Sequence, residues 1–336
     1  MKKNGHTVGL VNHRRGGVVR VFLRMGRRIL LWALFLAAAG SFAGWRVTAG
    51  WRQPITLLIL GSDTRRDSAP GRSDTIFVLR ADPRDRSLRG LSLPRDLYVP
   101  IRGLPTLLTN RINTALFYGD YYRVPGGGRR AARETVSRLL NVPIDGVMVL
   151  GFPIVQDVVD SIGGVEVYVE NLVVDRSFQY MTGGRSYTLR FEPGWNYLDG
   201  RRALDFVRLR RPDTDFGRMD RNRRLFEALR GNVKGPAGFW PLVRLLPRTA
   251  RRLKSDMTFG QKLRSAWVFY RCADGPIQWH TLAREDVEPA VTPQGAQVLL
   301  PDPEALAQAG QWLLDTPRAY AEKRDATEKG LWTRSP

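Results

Sequence analysis

The chain has 336 residues, of which 43% are hydrophobic and 10% aromatic, and its formal net charge at pH 7 is +21. Such a composition supports a large buried core and excludes an intrinsically disordered chain. The charge favours an anionic partner, which could be nucleic acid, an anionic membrane surface or a phosphate-bearing substrate. The single cysteine, Cys272, excludes an intrachain disulfide bond.

The N-terminal segment has a basic part followed by an apolar part. Residues 1–28 contain eight Lys or Arg and no acid, and residues 29–45 (ILLWALFLAAAGSFAGW) contain no charge. A run of this length lies within the range for a spanning helix, and the charge asymmetry predicts a cytoplasmic stub, a signal anchor and an extracytoplasmic remainder. A cleaved signal peptide, with SFAG as the cleavage region, and a buried core helix are the alternatives. The predicted topology argues against a nucleic-acid partner.

After a linker over residues 46–54, apolar runs typical of strands alternate with helical patterns. This alternation predicts an α/β fold with helices on both faces of a mixed sheet. The polar residues 315–336 form a tail. The predicted strands are 55–60, 75–82, 88–93, 146–152 and 165–170, and the predicted helices are 127–141 and 152–164.

Charged side chains stand where the predicted strands end. Asp63 follows the first strand directly, Asp74 opens the second, and Arg95 follows the third in SLPRD. Ligands of open α/β sheets bind outside the carboxyl ends of strands, and two carboxylates suit Mg²⁺. Ordinary turns in which aspartate caps the backbone explain these residues equally well. Arg111, just before a helix in TNRINTAL, indicates little on its own.

Arginine is unusually dense in residues 195–224, WNYLDGRRALDFVRLRRPDTDFGRMDRNRR. We predict a short helix followed by an extended stretch in which Arg208 and Arg210 point the same way. A second helix would carry Arg218, Arg221 and Asn222 on one face. Such a set suits phosphate, because guanidinium forms bidentate, charge-assisted hydrogen bonds. The alternative is a solvated arginine face paired internally with Asp213, Asp215 and Asp220.

Nucleophilic chemistry that depends on histidine is disfavoured. His280 is the one histidine after the predicted anchor, and its apolar surroundings in PIQWHTL indicate a structural residue. This argues against a Ser–His–Asp or Cys–His mechanism and against a histidine-rich metal site.

The ordered motifs GSD, GRSDT, SLPRD, RIN, GGVEV, YLDGRRALDFVRLR and DFGRMDRN resemble the LytR–CpsA–Psr family over residues 55–314. Members of this family join cell-wall glycopolymers to peptidoglycan. The resemblance implies a three-layer α-β-α sandwich with a mixed central sheet, a single N-terminal anchor and an apolar pocket for a polyprenyl chain. Candidate lining residues are Phe152, Ile154, Val155, Val158 and Val159, which an ordinary core explains equally well.

The resemblance also implies roles for individual residues. Asp63 and Asp74 would bind Mg²⁺, or Mn²⁺, at the substrate pyrophosphate, and Asp215 would orient neighbouring arginines. Asn222 stands where the family usually has Gln, and Arg111 where it often has Lys. The arginines expected around the phosphates are Arg72, Arg95, Arg111, Arg208, Arg210 and Arg218.

The expected function is a membrane-anchored phosphotransferase that moves a glycopolymer from a polyprenyl-pyrophosphate carrier to peptidoglycan. Asp63, Arg95, Arg208 and Arg210 are the catalytic candidates, with Asp63 as proton acceptor. One alternative is a non-catalytic binder or regulator of anionic wall polymer or lipid. Another is a hydrolase of polyprenyl pyrophosphates.

Overall fold

The computed structural model describes residues 50–62, 71–179, 186–209, 215–232, 244 and 253–315. The predicted anchor, Asp63, Arg210 and the C-terminal tail lie outside the described residues. The compact unit that carries every feature below begins at Gln53. None of the described helices has the length and apolar character needed to cross a membrane.

The described strands form a mixed central sheet and several two-stranded ribbons. The strands are β1 Ile55–Ser62, β2 Ser73–Asp82, β3 Ser87–Ser92, β4 Tyr98–Ile101, β5 Leu108–Arg111, β6 Gly146–Gly151, β7 Val165–Val169, β8 Val173–Gln179, β9 Ser186–Phe191, β10 Gly194–Leu198, β11 Lys254–Ser255, β12 Ile277–Thr281, β13 Val287–Val291 and β14 Gln297–Pro301. Six of these strands form the central sheet in the order β11-β6-β1-β2-β3-β12. β1 runs parallel to β6 and antiparallel to β2, and β3 runs parallel to β12.

The helices predicted over residues 127–141 and 152–164 are present, whereas the helices Phe259–Arg271 and Pro303–Leu314 were not predicted. The helix predicted over residues 127–141, for example, spans Gly127–Leu140. The helices are α1 Ala115–Tyr121, α2 Gly127–Leu140, α3 Phe152–Ser161, α4 Gly200–Arg208, α5 Asp215–Asn232, α6 Phe259–Arg271 and α7 Pro303–Leu314.

Helices cover both faces of the central sheet, because alternate side chains of each strand point to opposite faces. On one face Leu58 and Leu60 of β1 share a core with residues of α1, α2 and α7. On the other face Leu57 packs with Val268 of α6. The predicted α/β fold with a mixed central sheet is therefore confirmed.

A second core lies beside the sheet. It is built from α3, α4, α5 and the ribbons β7–β10 and β8–β9, and Phe191 and Phe206 pack edge to face in it with ring centroids 5.1 Å apart. This core fixes the ends of α4 and α5, which carry the arginine-rich sequence.

The register brings several strand ends to one edge of the sheet. Ser62, the last residue of β1, pairs with Gly151 of β6 and with Ser73 of β2. Ser92, the last residue of β3, pairs with Thr281 of β12. The last residues of β1, β3 and β6 and the first residues of β2 therefore meet at this edge, which we call the strand-end edge.

One local prediction is wrong: Arg208 is helical rather than extended. The Asp199 carboxylate accepts a hydrogen bond from the backbone N–H of Arg202 and caps α4, and the helix continues to Arg208, with Leu209 as the residue that ends it. Leu204 and Phe206 are buried within this helix. Burial of these side chains stabilises the helical conformation beyond the point where the charge pattern suggested a strand.

Candidate active site at the strand-end edge

Arg95 joins two carboxylates that are far apart in the sequence. Its Nη1 lies 2.8 Å from Asp74 Oδ1, and its Nε lies 3.0 Å from Asp215 Oδ2. Asp74 is the second residue of β2, Arg95 follows β3, and Asp215 begins α5. The predicted meeting of Asp74 and Arg95 at one edge of the sheet is thus present in the structure.

Arg218 completes this cluster from the first turns of α5. Its Nη2 lies 3.1 Å from Asp215 Oδ1 and donates to the Asp74 carbonyl oxygen at 3.3 Å. The Arg218 side chain is only 7% exposed. Asp215 also stands at the helix N-terminus, where a negative charge is favourable. Asp215 therefore contacts both Arg95 and Arg218, and the orienting role that the family resemblance implies stays a prediction.

Asp96 is a site residue that the sequence reasoning missed. Its Oδ2 lies 3.4 Å from Arg95 Nε, and its Oδ1 lies 3.4 Å from Arg111 Nε. Arg111 also donates to the carbonyl oxygen of Gln297 from Nε at 3.0 Å and from Nη2 at 2.6 Å. Asp96 is the last residue of the SLPRD motif, but the motif alone does not predict that its side chain contacts Arg95 and Arg111.

Asp96 and Asp215 both contact Arg95 Nε, so their carboxyl groups are neighbours. Burial raises the pKa of Asp96, and the hydrogen bond with Asp215 raises it further. Burial also works to raise the pKa of Asp215, but the hydrogen bond from Asp96 and the charges of Arg218 and Arg95 lower it overall. The two arginine contacts of Asp215 thus favour its charged form, whereas burial disfavours the charged form of Asp96.

Arg95 keeps its charge in this setting. Burial works to lower its pKa, but the hydrogen bond with Asp74 and the charges of Asp74, Asp215 and Asp96 raise the pKa overall. It is a permanent cation held at the strand-end edge.

Arg208 lies against the residue that follows β6. Its guanidinium carbon is 5.2 Å from the ring centroid of Phe152 and 5.5 Å from that of Phe178. Because Phe152 comes directly after Gly151, Arg208 also belongs to the strand-end edge. One turn earlier, burial raises the pKa of Asp205, against the hydrogen bond from Tyr187 and the charges of Arg201 and Arg208.

The remaining predicted residues have different surroundings. Arg72 is exposed and immediately precedes β2. The Asn222 side-chain amide donates to the carbonyl oxygen of Arg218 at 2.8 Å, within its own helix. Arg221, part of the same arginine-rich sequence, is buried and donates from Nη2 to the Leu209 carbonyl oxygen at 2.6 Å, so it braces the end of α4. Asp63 and Arg210 lie outside the described residues.

The carboxylates suit a metal ion whose coordination is completed by substrate and water. Among the described residues no group of three or more His, Cys, Asp or Glu is placed to hold an ion. Mg²⁺ commonly takes one or two carboxylates together with substrate phosphates and water. Asp74, a hard oxygen donor at the strand-end edge, is compatible with one half of the predicted pair, and Asp63 lies outside the described residues.

The predicted pocket residues lie on α3 and contribute to packing. Ile154 and Val159 are buried, and Val155 packs against the second core. Their role as the lining of a lipid pocket stays a prediction.

His280 and Cys272 are structural in this fold. The His280 ring packs against Trp312 with centroids 5.4 Å apart, and burial lowers its pKa. Cys272 is fully buried, and burial raises its pKa to about 12. The described site therefore offers guanidinium and carboxylate groups, which bind and orient a charged ligand, and neither of these two residues supplies a nucleophile to it.

Together, these features define an α/β protein with an arginine–aspartate site at the carboxyl ends of its central strands. The chain belongs to the LytR_cpsA_psr family, whose sequence profile matches residues 46–309. This match confirms the resemblance seen in the ordered motifs.

Curated relatives include two named polyisoprenyl-teichoic acid–peptidoglycan teichoic acid transferase TagU. The protein from Halalkalibacterium halodurans is 35% identical over 212 residues, which are 61% of this chain and 62% of the relative. The protein from Enterococcus faecalis is 29% identical over 231 residues, 68% of this chain and 69% of the relative. The chain thus spans about three fifths of the length of the first of these relatives.

Solved structures share the fold. The crystal structure of TagV from B. subtilis is 24% identical, with a TM-score of 0.62, covering 79% of this chain and 99% of that one. A structure of TagT bound to LIIa-WTA is 22% identical, with a TM-score of 0.61, covering 78% and 90%.

Proposed function

We propose that this protein transfers a glycopolymer from a polyprenyl-pyrophosphate carrier to peptidoglycan. The observation that carries the proposal is the cluster in which Arg95 and Arg218 are held side by side by Asp74 and Asp215 at the strand-end edge. Membership of the family and the names of the curated relatives support the choice of substrate.

In the proposed reaction the pyrophosphate lies between the arginines. A hydroxyl oxygen of a peptidoglycan sugar forms a bond to the glycan-proximal phosphorus, and the bond from that phosphorus to the bridging oxygen breaks. Polyprenyl phosphate leaves, and the hydroxyl proton passes to the Asp63 carboxylate. Phosphoryl transfer depends mainly on positioning and charge stabilisation, which a site of Arg and Asp supplies without histidine or cysteine.

Residues 29–45 anchor the protein in the membrane in this proposal, with the domain from residue 55 outside. The charge asymmetry of the first 45 residues supports this topology. The carrier lipid and the wall acceptor are then both within reach of one protein.

The reaction is tested with a labelled lipid-pyrophosphate glycan and peptidoglycan fragments, the products being identified by mass spectrometry. Transfer predicts glycan joined to peptidoglycan through a phosphodiester, together with polyprenyl phosphate. Free glycan phosphate without a peptidoglycan product would instead identify a hydrolase. Tight binding of the substrate with no product would identify a binder or regulator.

Asp63 and Asp74 would hold Mg²⁺ or Mn²⁺, which when bound supplies positive charge to the phosphoryl oxygens. We expect EDTA to abolish transfer. Binding of Mn²⁺, followed by electron paramagnetic resonance in the presence of a short-chain prenyl pyrophosphate, should be lost in Asp74→Ala. The control Asp274→Ala alters an exposed aspartate after α6 and should bind Mn²⁺ normally. Undiminished Mn²⁺ binding by Asp74→Ala would remove Asp74 from the metal site.

A further inference from the structure

Helix α6 presents a row of large apolar side chains to solvent. Phe259 is 82% exposed, Leu263 50% and Trp267 44%. Their spacing of four residues puts them on one side of the helix, and we call this row the α6 ridge. The opposite side of α6 packs on the central sheet through the fully buried Val268. A contiguous apolar row of this kind marks an interaction surface rather than an ordinary solvated face.

The charge of α6 indicates the nature of the partner. The helix contains Lys262, Arg264 and Arg271 and no Asp or Glu. A basic helix with Phe, Leu and Trp on its apolar side is typical of segments that lie in the interface of an anionic membrane. Aromatic side chains are also favoured at the level of the lipid headgroups.

Helix α6 contacts the residues that immediately precede β1. Arg264 Nη2 donates to the carbonyl oxygens of Gln53 and Pro54, each at 3.2 Å. Gln53 is eight residues beyond Trp45, the last residue of the apolar run. Eight residues span at most about 29 Å when fully extended. A membrane that holds the anchor is therefore within reach of α6.

The position of α6 is also compatible with a free active site. Gln53 and Pro54 come just before the first residue of β1, whereas the strand-end edge is at the last residue of β1. A strand of eight residues is about 26 Å long, so the two ends of β1 are well separated. The ridge and the strand-end edge are thus separate surfaces of the domain.

We propose that the α6 ridge lies in the membrane interface, with Phe259, Leu263 and Trp267 among the headgroups and with Lys262 and Arg271 facing anionic lipids. This inference rests on the proposed anchoring by residues 29–45. It adds a second membrane contact, which fixes the orientation of the extracytoplasmic domain instead of leaving it tethered by a linker alone.

The full-length chain in vesicles of phosphatidylcholine and phosphatidylglycerol provides the test. Leu263→Cys is labelled with the environment-sensitive dye NBD, and the matched control is Leu107→Cys, whose position is 98% exposed in the loop between β4 and β5. The native Cys272 is fully buried, and unsubstituted protein gives its background labelling. We expect blue-shifted emission and quenching by headgroup-proximal doxyl lipids at position 263 but not at position 107.

The possible failures are distinguishable. Protein that floats with the vesicles but shows no lipid quenching at position 263 would overturn the ridge contact and leave the anchor intact. A blue shift without lipid quenching, accompanied by dimerisation, would assign the ridge to a second copy of the chain. Protein that does not float would overturn both the anchor and the ridge contact.

A functional measurement separates docking from chemistry. In the triple variant Phe259→Ser, Leu263→Ser, Trp267→Ser, transfer from a long-chain donor embedded in the vesicles should fall severalfold. Transfer from a short-chain donor in solution should be unchanged, which also shows that the variant is folded. Equal rates with the embedded donor for the variant and the wild type would contradict the proposal.

Discussion

At the scale of single residues, Asp215 and Asp96 form a matched pair with different roles. Asp215 contacts Arg95 at 3.0 Å and Arg218 at 3.1 Å, whereas both arginine contacts of Asp96 are 3.4 Å long. Asp215→Asn removes the charge that holds two arginines, and we expect kcat/KM to fall by about tenfold per lost charge-assisted contact. Asp96→Asn should lose much less, because both of its arginine contacts are longer and therefore weaker.

Steady-state transfer kinetics of the two variants, with circular dichroism to verify folding, provide the measurement. Equal losses in Asp96→Asn and Asp215→Asn would show that Asp215 has no special orienting role.

Arg208 and Arg202 form a second matched pair on α4. Each guanidinium lies over a phenylalanine ring, Arg208 over Phe152 at 5.2 Å and Arg202 over Phe191 at 5.0 Å. Only the Arg208 stacking partner borders the strand-end edge. Arg208→Ala should therefore lower kcat/KM for transfer by roughly ten- to a hundredfold, corresponding to about 1.5–3 kcal/mol for a charge-assisted contact with phosphate.

Arg202→Ala loses a comparable stacking contact and should leave transfer kinetics near those of the wild type. If both variants were equally impaired, stacking within α4 rather than phosphate binding would account for the effect of Arg208.

At the scale of elements, the junction between α4 and α5 depends on Arg221. This buried side chain donates to the Leu209 carbonyl oxygen at 2.6 Å, at the point where α4 ends. Arg221→Met should lower the free energy of unfolding by about 1–3 kcal/mol, because a buried carbonyl loses its donor. The control Arg223→Met removes ion pairs with Asp220 and Glu227 nearer the surface and should cost less than about 1 kcal/mol.

Urea denaturation of both variants measures these differences. A loss of stability in Arg223→Met as large as that in Arg221→Met would indicate that the whole arginine-rich face stabilises α5, and that Arg221 has no particular part in bracing α4.

Strands β1, β2, β3, β6 and β7 and helices α2 and α3 could be predicted because they form apolar runs or repeat with the period of a strand or a helix. The other strands and the helices α6 and α7 were not predicted. The end of α4 could not, because Arg is a good helix former and a charged run does not distinguish helix from strand. Asp74 and Arg95 could be placed together because strand ends share an edge of the sheet. By contrast, Asp96 and Arg221 lie among other charged residues in the sequence, and nothing in the pattern distinguishes them. Tertiary packing places the Asp96 side chain at the site and the Arg221 side chain in the core.

At the scale of the whole molecule, the net charge of +21 does not translate directly into a positive site. In the described part of the strand-end edge, Arg95, Arg111 and Arg218 stand among Asp74, Asp96 and Asp215. The carboxylates hold these arginines in position, and Arg72 and Arg208 add further positive charge. Preorganised donors of this kind bind a phosphate without first having to be ordered.

The affinity of the full-length protein for a short-chain prenyl pyrophosphate, measured for wild type and Arg95→Ala, tests most directly that this cluster is the pyrophosphate site. We predict that Arg95→Ala weakens binding by at least about tenfold, because a charge-assisted contact is lost and three carboxylates lose their common partner. Affinity for the corresponding prenol, which lacks the pyrophosphate, should be unchanged and serves as the control. Unaltered pyrophosphate affinity in a folded Arg95→Ala variant would contradict the assignment of the strand-end edge as the active site.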